Sequence, residues 1–245
     1  MTDPVTQNPT AAMLVIGDEI LSGRTRDANM HHLAGELSTA GIDLKEVRVV
    51  SDDPVAITGA VQALAAGYSH VFTSGGIGPT HDDITADCIA AAFDAPIDVR
   101  DDARAILEAH YQRTGTELNQ ARLRMARIPD GATLIDNPVS AAPGFTLNNV
   151  HVMAGVPQIF QAMVASILPT LTGGAPLLSQ TLRIDRGEGD IAGPLSDLAA
   201  EYPDLSIGSY PFSHSGAFGA HIVIRGHNGV RLDAAMQQLA RLFSI

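Results

Sequence analysis

Apolar and polar positions follow two rhythms along this chain. Ala11–Gly17 (AAMLVIG) is a continuous apolar run closed by glycine, which predicts a strand buried on both faces. Met30, Leu33, Ala34 and Leu37 recur at helical spacing, and Gly41 is placed to stop that helix. Residues 44–50 (LKEVRVV) alternate as a strand does. Asp53-Pro54 reads as an N-cap and a first-turn proline, and Ile57, Val61, Leu64 and Ala65 supply the apolar stripe of the helix behind it. Residues 70–74 (HVFTS) predict a third strand. Asp83 is placed to cap a helix carrying Ile84, Cys88, Ile89 and Phe93. Strands alternating with helices predict an α/β fold with a parallel sheet covered on both faces.

Further along, residues 101–127 read as helix and are strongly charged. Residues 133–135 and 150–154 are strand candidates, with a loop at 136–145 between them, and residues 157–168 predict a helix with proline in its first turn. After Pro169 the composition changes, and 171–176 (LTGGAP) reads as a linker. The remainder gives strand, helix, strand, strand, helix, a small α+β unit. The expected organisation is a flexible tail at 1–11, a large domain at 12–170 and a small domain at 177–245.

Composition narrows the function. The chain has 245 residues, 45% of them hydrophobic, and a net charge of −12. That charge argues against a nucleic-acid surface, which needs a basic stripe, and disfavours anionic membranes. Phosphates can still bind locally, on backbone N–H groups or a metal. Cys88 is the single cysteine, so no disulfide framework exists. The first residues lack a cationic leader, and no apolar run nears ~18 residues, so a cytoplasmic location is expected. Trp is absent and aromatics are 4%, which argues against a base-stacking platform.

The candidate chemistry lies in residues 72–85, FTSGGIGPTHDDIT. Ligands of open α/β sheets bind outside the C-terminal ends of strands, where this loop falls. Gly75, Gly76 and Gly78 can take conformations that aim successive N–H groups at one anion. The pattern is neither a P-loop nor a dinucleotide fingerprint, and a plain tight turn fits the spacing as well. Asp82 and Asp83 would repel a phosphate unless a cation sat between them, and Mg²⁺ is commonly held by one or two carboxylates together with substrate phosphates. Capping of the helix is the alternative for both.

The order of VIGDEILSGRTRDAN, VVSDD, GGIGPTHDDIT, NPVSAAPGF and AGVPQ resembles the molybdopterin-binding domain of the MoaB/MogA type, in its CinA (competence/damage-inducible protein A) subgroup. The likeness covers roughly 12–170, and the following segment resembles the small domain that comes next in CinA-type proteins. The resemblance implies a three-layer α/β/α sandwich in a homo-oligomer, dimer or trimer. It implies a nucleotide or pterin phosphate as ligand, molybdopterin among them, and a divalent metal (Mg²⁺, Mn²⁺ or Co²⁺). CinA-like members resemble metal-dependent pyrophosphatases acting on ADP-ribose or FAD-type dinucleotides, and MogA-like members adenylylate molybdopterin. A binding module without turnover is the third possibility. By the same resemblance Asp83 and Asp52 are the catalytic candidates, and with Asp18 the metal ligands. Ser74, Gly75, Gly76, Gly78, Thr80, Asp18, Glu19, Asn29, Asn137, Pro143 and Gly144 are the ligand-binding candidates. Four positions depart from the family pattern: Ser74 stands for threonine, His81 for lysine, Ala154 for proline and Ile159 for glutamate. The last puts hydrolysis in question.

Other residues have plainer readings. Cys88 falls on an apolar stripe and is expected in the core. His31, His32, His214 and His221 have no ligand-like spacing. Asp101 and Asp102 suit a helix N-terminus, and Arg122, Arg124 and Arg127 a surface helix. Glu188 and Asp190 are placed in a loop that could close over the cleft.

Overall fold

The computed structural model describes residues 8–214 and 217–245. The order of elements in the first unit is β1 (Thr10–Ile16), α1 (Asp18–Leu21), α2 (Asn29–Ala40), β2 (Asp43–Val50), α3 (Pro54–Gly67), β3 (His70–Ser74), α4 (Thr85–Ala92), β4 (Ile97–Val99) and α5 (Asp101–Thr114). There follow α6 (Gln120–Leu123), β5 (Arg127–Pro129), β6 (Thr133–Ile135), β7 (Gly144–Leu147), β8 (Val150–Met153) and α7 (Pro157–Ile167). The first unit ends at Gly174 and the second begins at Ala175. The strand expected from Ala11 begins at Thr10, so residues 10 and 11 belong to the sheet rather than to a tail. Residues 1–7 of that tail lie outside the described residues.

The main sheet has the order β2-β1-β3-β8-β7-β6. β2, β1, β3 and β8 run parallel, and β7 is antiparallel to both its neighbours. Strand alternation sends β1 side chains to two cores. Ala12, Leu14 and Ile16 pack with α3, α4 and α5, while Met13 and Val15 pack with α2 and α7 on the other face. The result is a three-layer α/β/α sandwich with a mostly parallel sheet. Leu33, Phe72 and Phe160 are fully buried, each contributing about 1.5–3 kcal/mol relative to exposure.

Local signals act as their chemistry requires. Asp53 accepts from Ala56 N–H at 2.8 Å at the start of α3, and Gly41 ends α2 in the left-handed region at φ 70°. Met30, expected on the apolar stripe of α2, is 42% exposed instead.

The expected helix over 101–127 is broken. Gly115 takes φ 66° and ends α5. Asn119 then caps the short α6 by accepting from Arg122 N–H, a 3-10 turn follows at Arg124–Ala126, and Arg127–Pro129 pairs with β4 as a separate two-stranded sheet. The expected loop at 136–145 likewise ends early, because Gly144 already opens β7.

The second unit consists of β9 (Leu178–Ile184), α8 (Glu188–Glu201), β10 (Ser206–His214), β11 (Ala217–Gly226) and α9 (Gly229–Phe243). Its antiparallel sheet has the order β10-β11-β9. Ala220, Ile222 and Ile224 of β11 pack with Leu198 of α8 and Leu232, Leu239 and Phe243 of α9. Glu188 and Asp190 lie in the first turn of α8, not in a loop, and Glu188 accepts from the Ser209 hydroxyl at 3.0 Å. Among the described residues no helix is long and apolar enough to cross a membrane.

Candidate functional site

A cleft of about 520 Å³ opens where β1, β3 and β8 end. Its floor is the glycine loop after β3. Gly75 has φ 111° and Gly76 φ 68°, conformations that disfavour a side chain. A Cβ on Gly75 would lie 2.2 Å from the Ile16 carbonyl oxygen, and one on Gly76 would lie 2.1 Å from Thr85 Oγ1. Thr85 fixes the loop from behind: its hydroxyl donates to Gly75 O at 3.0 Å, and its N–H to Gly76 O at 2.9 Å. Gly75 N–H is spent on Met153 O. The N–H groups of Gly76, Ile77 and Gly78 donate to no protein acceptor among the described residues. Those three donors suit an anion.

Acid groups line the same cleft. Glu19, Asp52, Asp82 and Asp83 all contribute to its walls. Asp83 Oδ2 accepts from Thr80 N–H at 2.8 Å and from the Thr80 hydroxyl at 2.5 Å. This overturns the expected cap: α4 starts at Thr85 after an Ile84 that offers no side-chain acceptor, and Asp83 instead ties down the loop ahead of it. Asp52 accepts from Asp18 N–H at 3.0 Å. Burial first, then the charges of Asp18, Glu19 and Asp82, hold its carboxyl above the usual range, with the Asp18 N–H opposing them.

A folded-state carboxyl that titrates high is destabilising once ionised, so stability is lost as pH rises through its titration. Asp52→Asn removes that charge and keeps an acceptor for Asp18 N–H. It is expected to raise the melting temperature of the first unit by roughly 1–2 °C at pH 7.5, the site being only partly buried. The gain should vanish near pH 2.5, well below the ordinary aspartate value of about 3.9, where both states of the wild type hold the proton. Calorimetric scans at the two pH values check it.

The structure brings Glu19, Asp52, Gly75, Gly76, Gly78, Asp83 and Asn137 to one cleft. The remaining candidates do other things. Asp18 contributes its N–H, and its carboxylate is not part of the lining. Thr80 spends its donors on Asp83. Ser74 is buried and accepts from Asn29 Nδ2 at 2.7 Å, and the same amide donates to Gly155 O at 2.8 Å. Together they brace the loop against the β8–α7 turn. Gly144 is needed for packing, since a Cβ there would lie 2.3 Å from Val152 O. Pro143 is buried beside a small void behind the loop. Asn137 lines the cleft, but its oxygen accepts from Val139 and Ser140 N–H and its amide donates to Ser140 Oγ and Ala142 O. It shapes the 137–142 loop.

Among the described residues no three His, Cys, Asp or Glu side chains gather closely enough to hold a metal. Asp83, Asp52 and Asp18 therefore do not form a ready-made three-carboxylate cage. The donor set fits an ion held by one or two carboxylates and completed by ligand phosphates.

His81, at the family's lysine position, is 98% exposed and outside the cleft lining. Ile159 stands on the cleft wall with Val156 and Met125, an apolar side. Arg124, read as a surface residue, reaches the back of the loop: its Nη2 is 3.4 Å from Asp83 O, and its Nε is buried without a partner. Arg127 pairs with Asp87 and Arg122 lies over Tyr111. Cys88 is buried in the core, and the side chain of His214 lies outside those described. One polar cluster went unread in the sequence. His70 Nδ1 lies 3.2 Å from His151 Nε2, and His151 Nδ1 lies 3.0 Å from the Thr146 hydroxyl.

Comparison with known proteins gives the same division of the chain. Residues 12–173 match the family model described as "Probable molybdopterin binding domain", and residues 176–245 match "FAD synthase, middle domain". A "Probable FAD synthase" of Caenorhabditis elegans is 32% identical over 99% of this chain and 51% of its own length. A "CinA-like protein" of Citrifermentans bemidjiense is 39% identical over 66% of this chain and 40% of its own length. This chain thus spans about half the length of such curated relatives. Among solved structures, the protein CinA of unknown function from Thermoplasma acidophilum is 30% identical, with a TM-score of 0.61 over 67% of this chain and 99% of that one.

Proposed function

This chain belongs to the molybdopterin-binding-domain family, in its CinA-type branch, and from that premise we propose that its glycine-loop cleft binds a dinucleotide and cleaves the pyrophosphate. The reaction puts water on one phosphorus and breaks the P–O–P bond, so an FAD-type substrate yields AMP and FMN, and ADP-ribose yields AMP and ribose phosphate. The observation that carries the reading is that Gly76, Ile77 and Gly78, whose N–H groups donate to no acceptor among the described residues, line a cleft walled by Asp52 and Asp83. Those donors would seat the phosphates and hold them still, and positioning is most of what phosphoryl chemistry asks of a protein. Asp83 Oδ1 and Asp52 are the groups that would hold a divalent ion, which when bound supplies charge neutralisation and an activated water. Thr80 would keep Asp83 aimed. Met125, Val156 and Ile159 offer an apolar wall for a planar ring. The C. elegans relative named for FAD synthesis covers nearly all of this chain, which favours a flavin–adenine dinucleotide among the candidates.

A second reading has one observation in its favour. With Ile159 on the cleft wall where the family places glutamate, the site would bind nucleotide or molybdopterin without turning it over.

Purified protein is incubated with FAD, ADP-ribose, NAD or ATP and with Mg²⁺, Mn²⁺ or Co²⁺, and AMP release is followed. Metal-dependent release from one dinucleotide, cut at least tenfold (about 1.4 kcal/mol) by Asp83→Ala, is the expected result. Calorimetric binding with no release from any substrate would leave the binding module.

A further inference from the structure

The sheet of the second unit turns one face away from its helices, and that face carries chemistry unrelated to the cleft. Ala220, Ile222 and Ile224 of β11 point into the core, so His221, Val223 and Arg225 point the other way. The strand register sets Tyr210 and Arg183 on either side of His221, and Phe212 opposite Gly219. Arg183, Tyr210, Phe212, His221 and Arg225 therefore share one open face.

Their side chains form two contacting groups. The Arg183 guanidinium lies 4.5 Å from the centre of the Phe212 ring, and that ring lies 4.9 Å from His221. Arg225 lies 5.9 Å from the Tyr210 ring centre and donates to its hydroxyl at 3.2 Å. Gly219 makes room for this arrangement: a Cβ there would come within 2.8 Å of Phe212 Cζ. Tyr210 is 47% exposed. Arg183 has Asp185 as a partner at 2.7 Å. Arg225 has no carboxylate partner among the described residues.

A chain of net charge −12 with few aromatics thus gathers two guanidinium groups and three rings on one exposed surface. Aromatic rings and arginine planes stack on planar heterocycles, and a guanidinium left without a carboxylate binds phosphate in a fork. The ligand that matches both is a planar ring carrying one or two phosphates. A long polyanion matches less well, since the overall negative charge repels it. We propose that this face is a second binding site, for a mononucleotide of the flavin or adenine class, with the ring on Tyr210 and Phe212 and the phosphate on Arg225. It is independent of the cleavage proposed for the cleft.

FMN is the probe, because it stacks, fluoresces, carries one phosphate and contains no phosphoanhydride for the cleft to cut. The full chain is titrated with FMN while flavin fluorescence and backbone amide shifts are followed. Quenching is expected, with saturable shifts in Ser206–Ser213 and Phe218–Gly226. The double variant Tyr210→Ala/Arg225→Gln should raise the dissociation constant at least tenfold, and Arg225→Gln alone severalfold. Unchanged circular dichroism of the single variant guards against misfolding. Shifts confined to the glycine loop, no saturable shift at millimolar FMN, or equal binding by both face variants would overturn the proposal. So would tighter binding of a thymidine oligonucleotide than of FMN, or a self-association that the face variants abolish while FMN has no effect. Failure of the hydrolysis assay leaves this test untouched.

Discussion

Gly75→Ala is expected to destabilise the first unit by about 4 kcal/mol, against about 1 kcal/mol for Gly131→Ala. Both glycines have positive φ, 111° and 79°. They differ in what surrounds them. Nothing lies within 4 Å of a Cβ on Gly131, whereas one on Gly75 meets the Ile16 carbonyl oxygen at 2.2 Å. That oxygen is backbone at the end of a buried strand, so relief requires moving β1 away from β3 or the loop away from both. Moving the loop also disturbs Gly155, whose own Cβ position is 3.2 Å from Gly75 Cα. Gly131→Ala meets only the strain of its backbone angle. The difference between the two variants therefore isolates the overlap from the strain. Urea unfolding of the first unit, followed by a probe within it, reads both. Equal losses would mean that the loop relaxes freely, and that its close approach to β1 is not what requires glycine.

This loop marks how far the sequence could be read. A continuous apolar run identified β1, because a strand covered on both faces leaves few polar positions, and the short run ahead of the glycines identified β3. Asp53-Pro54 and Gly41 identified helix ends, because those residue types act on backbone next to them. The glycines of 75–78 identified a loop of unusual backbone, and the resemblance attached a ligand class to it. What stayed hidden depends on contacts distant in sequence. Three-residue strands at 97–99 and 127–129 carry too few positions to show a period, and β5 looked like the end of a helix. Gly115 and Asn119 are the local signals that break that helix, and the charged, helix-favouring residues on either side obscured them. Its place before a helix suggests a cap at Asp83 and the resemblance a metal ligand, and its Oδ2 faces back to Thr80. Asn29 and Asn137 are ligand candidates by the resemblance, and what the sequence does not show is that both also hold loops in place, Asn137 while lining the cleft. The acids were legible as types. That Glu19, Asp52 and Asp83 face one cleft while the Asp18 carboxylate does not is settled by the turn after β1, where one N–H already occupies Asp52.

The His70–His151 pair was illegible for the same reason, and its burial is expected to weaken the fold in acid. His151 sits within an apolar strand, 3% exposed, paired in register with Phe72 of β3. Burial first, then the nearby His70, lowers its pKa from 6.5 to about 3, and burial lowers that of His70 as well. In the folded chain His151 is neutral, bridging His70 and the Thr146 hydroxyl. The unfolded chain takes up a proton near pH 6.5 that the folded chain refuses until about pH 3. A lowered histidine pKa leaves stability intact above the unfolded value and removes it as pH falls between the two values. Linkage puts the loss from His151 alone at about 3 kcal/mol between pH 7.5 and pH 4.0. Those conditions fall on either side of the sequence pI of 5.0, so the chain carries net charge in both. Carboxylates also titrate in this interval, in wild type and variant alike, so the comparison is with His151→Gln. The variant keeps a hydrogen-bonding side chain that never charges. It should be less stable at pH 7.5, because it loses the ring packed against Phe72 at 4.9 Å. It should then lose about 3 kcal/mol less than the wild type on acidification. Urea midpoints of both proteins at the two pH values give the four numbers needed. Parallel losses would mean that the folded interior accepts the proton on His151, either by opening at Thr146 or by passing it to His70.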